Sequence, residues 1–362
     1  MSKTRFDIAV LGGDGIGPEV LRSSLDIIDE AARLAGGFSL DYTWLEAGGG
    51  CYQRTGEAFP GESRAAAHAA DAVLVGAMGV PGVTHPDGTE IAPQLELRFD
   101  LDLYAGLRPI RSIPGVPSVL ADSRANSIDI MIVRESTEGL FDSAGKGTVT
   151  DDTAARDWLT VTRHTSERLF DRCFELAQAR AGSEGKGKVT CVDKANLFTA
   201  LAFFRKIFDE RAARFTDIQA DHVYVDAMAQ RLVLEPWAFD VMVMENMFGD
   251  ILGDLGVALI GGANYAPSAN IGDRHGVFQP CHGSSTGHAG TGKANPTAMI
   301  LSGAMMLDWI GLGHGMAAPR AAANAIVGAV DSAFASGNLT PFDQGGRDGL
   351  DAIAQAIGSH LR

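Results

Sequence analysis

Short apolar runs recur along the chain and are separated by segments of helical period. DIAVLG (7–12), DAVLVGA (71–77), IDIMIV (128–133), KVTCVD (188–193) and FDVMVM (239–244) each predict a strand buried on both faces. PEVLRSSLDIIDEAARLA (18–35), SERLFDRCFELAQARA (166–181) and LFTALAFFRKIFDERAARF (197–215) carry apolar residues at three- and four-residue spacing and predict amphipathic helices. Buried strands alternating with helices imply an α/β fold with a largely parallel or mixed sheet. The stretch 143–165 is more polar, with β-branched alternation late in it, and predicts an exposed hairpin or arm suited to oligomer contacts. AGSEGKGK (181–188) reads as a surface loop.

With 362 residues the chain is long enough for two lobes or one large α/β unit. A net charge of −15 excludes a phosphate-backbone binder but not a small anionic substrate held by a few arginines. The four cysteines (Cys51, Cys173, Cys191, Cys281) are scattered, without metal spacing, which predicts reduced thiols. The N-terminus lacks the length and cleavage site of a signal peptide. No charge-free apolar run approaches the roughly 18 residues that span a bilayer. A soluble, cytoplasmic protein is expected.

Candidate chemistry begins at MENMFGDILGDL (244–255). On a helix, Asp250 and Asp254 share one face, and two convergent carboxylates suit a hard divalent cation such as Mg²⁺ or Mn²⁺; a solvated helix face is the alternative. Three glycine patterns point to different chemistries. LGGDGIGPE (11–19) follows a strand and opens a helix but fails the dinucleotide spacing. GHAGTGKA (287–294) is one residue short of a nucleotide-binding P-loop, with Ala294 in place of the hydroxyl, and Asn295 and Pro296 read as the cap and first turn of a helix. GSSTG (283–287) fits a nucleophile elbow at Ser285 after the strand-like VFQPC (277–281), with Asp351 and His360 as the downstream acid and base of a serine hydrolase. Arg98, Arg108 and Arg134 sit at turns and strand ends, where three guanidiniums meeting in one cleft would clamp a di- or tricarboxylate. Lys194 ends a strand and is a candidate acid or base.

Taken in order, GGDGIGPEV (12–20), LRFDLDLYAGLRP (97–109), VRESTEG (133–139), VDKAN (192–196), YVDAM (224–228), NMFGDILGD (246–254) and HGSSTGHAGTGKANPTA (282–298) resemble the β-decarboxylating dehydrogenases, the isopropylmalate branch most of all. The resemblance spans about residues 7 to 310. It implies an isopropylmalate/isocitrate dehydrogenase-like two-domain α/β fold with mixed sheets, not a Rossmann fold. Residues 1–103 and 261–362 would form a larger cofactor domain, and 104–260 a smaller substrate, metal and dimerisation domain. It further implies that Arg98, Arg108 and Arg134 bind substrate carboxylates, and that Asp226, Asp250 and Asp254 hold Mg²⁺ or Mn²⁺. Lys194 and Asp226 would be catalytic and serve the neighbouring subunit of a homodimer. Ile16, His282, Gly283, Ser285, Gly287, His288 and Asn295 would line an NAD(P) site, with NAD favoured.

Five positions depart from the family. Phe141 replaces a tyrosine that donates a proton during enol protonation. Gly287 and His288 match neither the NAD nor the NADP pattern, and Gln279 replaces a glutamate. Gln94, beside Leu95, replaces one of a leucine pair, which suggests a smaller or more polar substrate such as malate, tartrate or another 3-substituted malate.

Overall fold

The computed structural model describes residues 3–182 and 185–362. Its strands and helices begin β1 (Arg5–Gly13), α1 (Gly17–Ala35), β2 (Ser39–Leu45), α2 (Gly49–Thr55), α3 (Gly61–Ala69), β3 (Ala72–Ala77), α4 (Pro93–Asp100), β4 (Ala105–Arg111) and β5 (Asp129–Glu135). A small hairpin, β6 (Thr148–Thr150) and β7 (Ala154–Arg156), comes before α5 (Arg163–Ala181), β8 (Lys188–Asp193), α6 (Thr199–Ala212), β9 (Gln219–Tyr224) and α7 (Val225–Leu234). The chain closes with β10 (Val241–Met244), α8 (Asn246–Leu259), β11 (Pro267–Ile271), β12 (Gly276–Pro280), α9 (Thr297–His314), α10 (Ala317–Ala335) and α11 (Leu350–Ser359).

Ten strands form one mixed sheet in the order β2-β1-β3-β12-β11-β4-β5-β10-β8-β9. The quartet β2-β1-β3-β12 is parallel, and so is β5-β10-β8-β9. Between them β11 and β4 run antiparallel to their neighbours, so the two parallel halves point in opposite directions. The sheet is continuous across residues 103/104 and 260/261. The apolar runs became strands because they fill its buried interior: β3 and β10 are buried throughout.

Four boundaries moved. The strand at 128–133 continues through Arg134 and Glu135, both buried by partners described below. Thr162 caps α5 and starts that helix earlier than 166, so the expected arm ends before residue 163; its exposed part is the β6–β7 hairpin. Leu197 and Phe198 precede α6 and are exposed. Helix α9 starts at Thr297, and Pro296 takes the cap position expected for Asn295, whose Oδ1 instead accepts from Thr297 N at 3.0 Å. The strands β2, β4, β9 and β11 gave no apolar run to find. In β4, Pro109 and two arginines interrupt the pattern. Of the 181–188 loop, Ser183 and Glu184 lie outside the described residues. All four cysteines are free, and among the described residues no helix is long and apolar enough to cross a membrane.

Candidate active site

The pair that opens the chemistry is helical: Asp250 and Asp254 stand one turn apart on α8. The glycines before them decide what reaches them. A Cβ on Gly249 would come within 2.6 Å of the Arg134 Cβ and Cγ, and one on Gly253 within 2.7 Å of the Arg108 Nη1. Each glycine therefore opens a notch in the helix through which an arginine from the adjoining strands reaches the aspartate that follows. Arg134 bonds Asp250, and Arg108 bonds Asp254 at 2.5 Å and approaches Asp250 at 3.9 Å. The repeat G-D-x-x-G-D is thus a packing rule as well as a charge pattern.

Arg134 is further fixed by Asn246, whose Oδ1 accepts from its Nε at 2.9 Å and its Nη2 at 2.7 Å. Asn246 in turn donates to Glu138 O at 2.9 Å, so the first residue of α8 ties the end of β5 to the following loop. Glu135 faces the same network and accepts from Thr137 N and Glu138 N at 2.6 and 2.8 Å. Burial pushes its carboxyl up to about 7 despite those bonds. The Phe141 ring lies 4.9 Å from the Arg134 guanidinium, so the departure from the family pattern faces the arginines directly.

Arg98, on α4, is 8% exposed and its Nε is buried without a hydrogen-bond partner among the described residues. Burial, with Arg134 and Arg108 close by, pushes its guanidinium down to about 10. Arg98, Arg108, Arg134, Asn270 and Gln279 wall one small cavity, which brings together the three arginines expected to meet. One helical turn before Arg98, Gln94 Oε1 is also buried without a partner; Leu95 follows it. Such orphaned polar atoms are costly unless a ligand completes them.

Asp226 does not join the other two aspartates. Among the described residues no group of three acidic, histidine or cysteine side chains is arranged to hold a metal. Asp226 stands at the start of α7, 69% exposed, and bonds Lys194 Nζ at 2.6 Å. That bond holds the Asp226 carboxyl below its usual range. Lys194 is steadied from behind: Asp193, fully buried, takes Arg205 in a bidentate pair at 2.7 Å, and the Tyr224 ring lies near both cations.

A second cavity of about 580 Å³ is lined by Ile16, His282, Gly283, Ser285, His288 and Asn295, while Gly287 lies in the exposed turn beside it. Gly15 permits this assembly: its φ is +55°, and a Cβ there would meet Ser284 O at 2.0 Å. The close approach lets Ile16 N donate to Ser284 O at 2.8 Å and seats the 11–19 loop against the 282–288 loop. Sequence reasoning missed Asn264, Phe342 and Asp343 in this wall. They come from distant segments whose short polar pattern carries no motif. Asn295 Nδ2 donates to Asp343 at 3.3 Å, and His282 Nε2 is buried without a partner among the described residues.

The hydrolase elbow is not assembled. Ser285 Oγ bonds His288 Nδ1 at 2.9 Å, both are exposed, and only a single 3-10 turn, Thr286–His288, follows in place of the α-helix of an elbow. His360 contacts Ala356 O of its own helix at 2.9 Å instead of serving Ser285. The near P-loop fails on the same ground, since Lys293 lies over the Phe342 ring and α9 begins only at Thr297.

Comparison with known proteins agrees with this geometry. The isocitrate/isopropylmalate dehydrogenase family profile matches residues 7–355. The 3-isopropylmalate/3-methylmalate dehydrogenase of Methanocaldococcus jannaschii is 38% identical over 356 residues, covering 98% of each chain. The 3-isopropylmalate dehydrogenase of Salinibacter ruber is 39% identical, covering 100% of this chain and 96% of its own. Among solved structures, isocitrate dehydrogenase from Methylococcus capsulatus superposes with a TM-score of 0.84 at 34% identity, covering 99% of both chains. A β-decarboxylating dehydrogenase from Thermococcus kodakarensis gives 0.78 at 34% identity, covering 98% of this chain and 96% of that one. A match of this extent leaves one assignment: the chain belongs to the isocitrate/isopropylmalate dehydrogenase family of β-decarboxylating oxidoreductases.

Proposed function

We propose that the protein oxidises a (2R)-hydroxy acid bearing a β-carboxylate and then releases that carboxylate as CO₂. The observation that carries this reading is Arg98, a buried guanidinium with an unpartnered Nε beside Arg108 and Arg134. Arg134 and Arg108 have Asp250 and Asp254 as partners, but Arg98 has no carboxylate of its own among the described residues, and a malate-type substrate supplies one.

Asp250 and Asp254 present hard oxygen donors on one helix face and remain 42% and 77% exposed, which fits a divalent cation as a shared ligand. The third donor would be Asp226 of a second copy. Exposed apolar residues on the same helices, Leu234 of α7 and Ile251 of α8, support burial of this face in a homodimer. When bound, Mg²⁺ or Mn²⁺ would lower the pKa of the substrate hydroxyl, and NAD would accept the hydride. Lys194, carried by the second copy, would take the hydroxyl proton, while Arg98, Arg108 and Arg134 orient the carboxylates. The cofactor cavity offers His282 Nε2, Asn295 and Asp343 to an adenine nucleotide. NAD is the favoured cofactor; His288 and Lys293 in the same wall are the groups that would accept NADP. Residues 1–103 with 261–362 and residues 104–260 would move as two lobes, hinged where the single sheet runs from one to the other.

The orphaned Gln94 acceptor favours a hydroxyl or small polar group at the substrate's C3 over an isopropyl group. Phe141 favours a second reading, oxidation without completed decarboxylation, because the ring beside Arg134 has no proton to give. A panel of D-malate, tartrate, 3-methylmalate, 3-isopropylmalate and isocitrate with Mn²⁺ and either cofactor tests the proposal. Reduced cofactor should form with at least one, and its absence with all would overturn it.

A further inference from the structure

The sheet has a second cavity on the face opposite the arginines. It encloses about 480 Å³ between β4, β11 and β12 on one side and α5, α9 and α10 on the other. Its walls are mostly apolar, with Leu107, Leu176, Phe278, Trp309 and Val327 prominent, and the two carboxylates in them are already engaged, Asp273 by Arg168 at 3.4 Å and Tyr104 Oη at 3.0 Å, Asp308 by Arg320 at 3.0 Å. That volume and lining fall within the range of small-molecule sites. One cation enters it incompletely satisfied: Arg172, on α5, pairs through Nη1 with Glu175 at 3.3 Å and also engages the Tyr104 hydroxyl, while its Nε is buried without a partner among the described residues. The other arginine in the wall, Arg111, is already closed by Asp331 in a bidentate pair at 2.8 and 2.9 Å.

Strand alternation links this cavity to the active site. On β4, Pro109 and Arg111 face it while Arg108 turns to the arginine cluster; on β11, Pro267 and Ile271 face it while Ser268 and Asn270 turn away. Leu107 and Ala269 touch both cavities, so a single strand thickness separates them.

We infer that this cavity is a binding site for a small amphipathic carboxylate, its apolar body between the sheet and α9–α10 and its carboxylate on Arg172. The largely apolar walls, with the carboxylates of Asp273 and Asp308 among them, exclude a polyanion, and the unsatisfied Nε selects a single acid group over a neutral hydrocarbon. Occupancy presses on β4 and β11, the two strands that join the parallel halves and carry Arg108 and Asn270.

Trp309 in the wall gives the readout. Octanoate titrated into the full-length protein should change tryptophan fluorescence saturably, and octanol should bind about tenfold more weakly. Trp309→Phe should abolish the signal, Arg172→Gln should bring octanoate down to the level of octanol, and Val327→Phe should block both. No saturable change with octanoate, or undiminished binding by both Arg172→Gln and Val327→Phe, would overturn the site. These measurements need no turnover, so their failure is distinct from failure of the proposed reaction. Under turnover, saturating octanoate should shift KM for the hydroxy acid about fivefold or more; an unchanged KM would overturn the link through β4 and β11.

Discussion

Replacing Arg98 by glutamine should stabilise the protein while disabling it. Arg98 is 8% exposed, and its guanidinium is pushed down to about 10, well below the ordinary arginine range. That depression corresponds to a cost of about 3 kcal/mol for keeping the charge in the folded state. Because the folded value lies below the unfolded one, the cost is fully present below about pH 10 and constant across neutral pH. Glutamine removes the charge but is smaller, and the lost packing takes back about 1–2 kcal/mol. A net gain of about 1–2 kcal/mol should raise Tm by about 2–3 °C in a chain of this size, equally between about pH 6 and 9. The same substitution deletes charge-assisted bonds to a substrate carboxylate and should raise KM about 100-fold. Thermal unfolding followed with and without D-malate and Mn²⁺, beside steady-state kinetics, reads both effects. A lower Tm together with an unchanged KM would refute the view that Arg98 is held in readiness for an anion.

Four further outcomes follow from the same geometry. Phe141→Tyr places a hydroxyl beside Arg134 and should raise the ratio of decarboxylated product to reduced cofactor; equal ratios would remove Phe141 from the chemistry. Glu135 has a folded pKa raised to about 7, so the native state binds the extra proton and stability falls as pH rises between about 4.5 and 7. Glu135→Gln should flatten urea midpoints across that window, and a slope that persists would exclude Glu135 as its source. Asp250→Asn should lower kcat at least about 100-fold and weaken the response to Mn²⁺, since it also leaves Arg134 without its carboxylate. Lys194→Met and Asp250→Asn chains, each inactive alone, should regain activity when unfolded and refolded together, because one site of the mixed dimer receives both native residues. No recovery would argue that Lys194 acts within its own chain.

Much of this was legible in the chain. Buried strands such as β3 and β10 announce themselves because every residue in them is apolar, and α8 because its carboxylates and glycines repeat at helical spacing. The 282–298 loop was legible as a motif while its chemistry was not: two glycine patterns overlapped in it, and the positions of Ile16, Lys293, Phe342 and Asp343 in one cavity wall speak against a P-loop or an elbow. β4 escaped notice because Pro109, Arg108 and Arg111 break the apolar run, although its backbone is paired on both sides.

The sequence by itself determined the strand and helix grammar, the i, i+4 aspartate pair and the kinds of group available for an anionic substrate, since these depend on local period and side-chain chemistry. Tertiary structure decided which groups meet. It drew Arg134 and Arg108 through the notches at Gly249 and Gly253, left the Arg98 Nε without a partner among the described residues, and kept Asp226 with Lys194 away from Asp250 and Asp254. Those outcomes depend on close approach between segments more than a hundred residues apart, as in Arg134 and Asp250, and on which charges burial leaves unpaired. Neither is written in any local stretch of the chain.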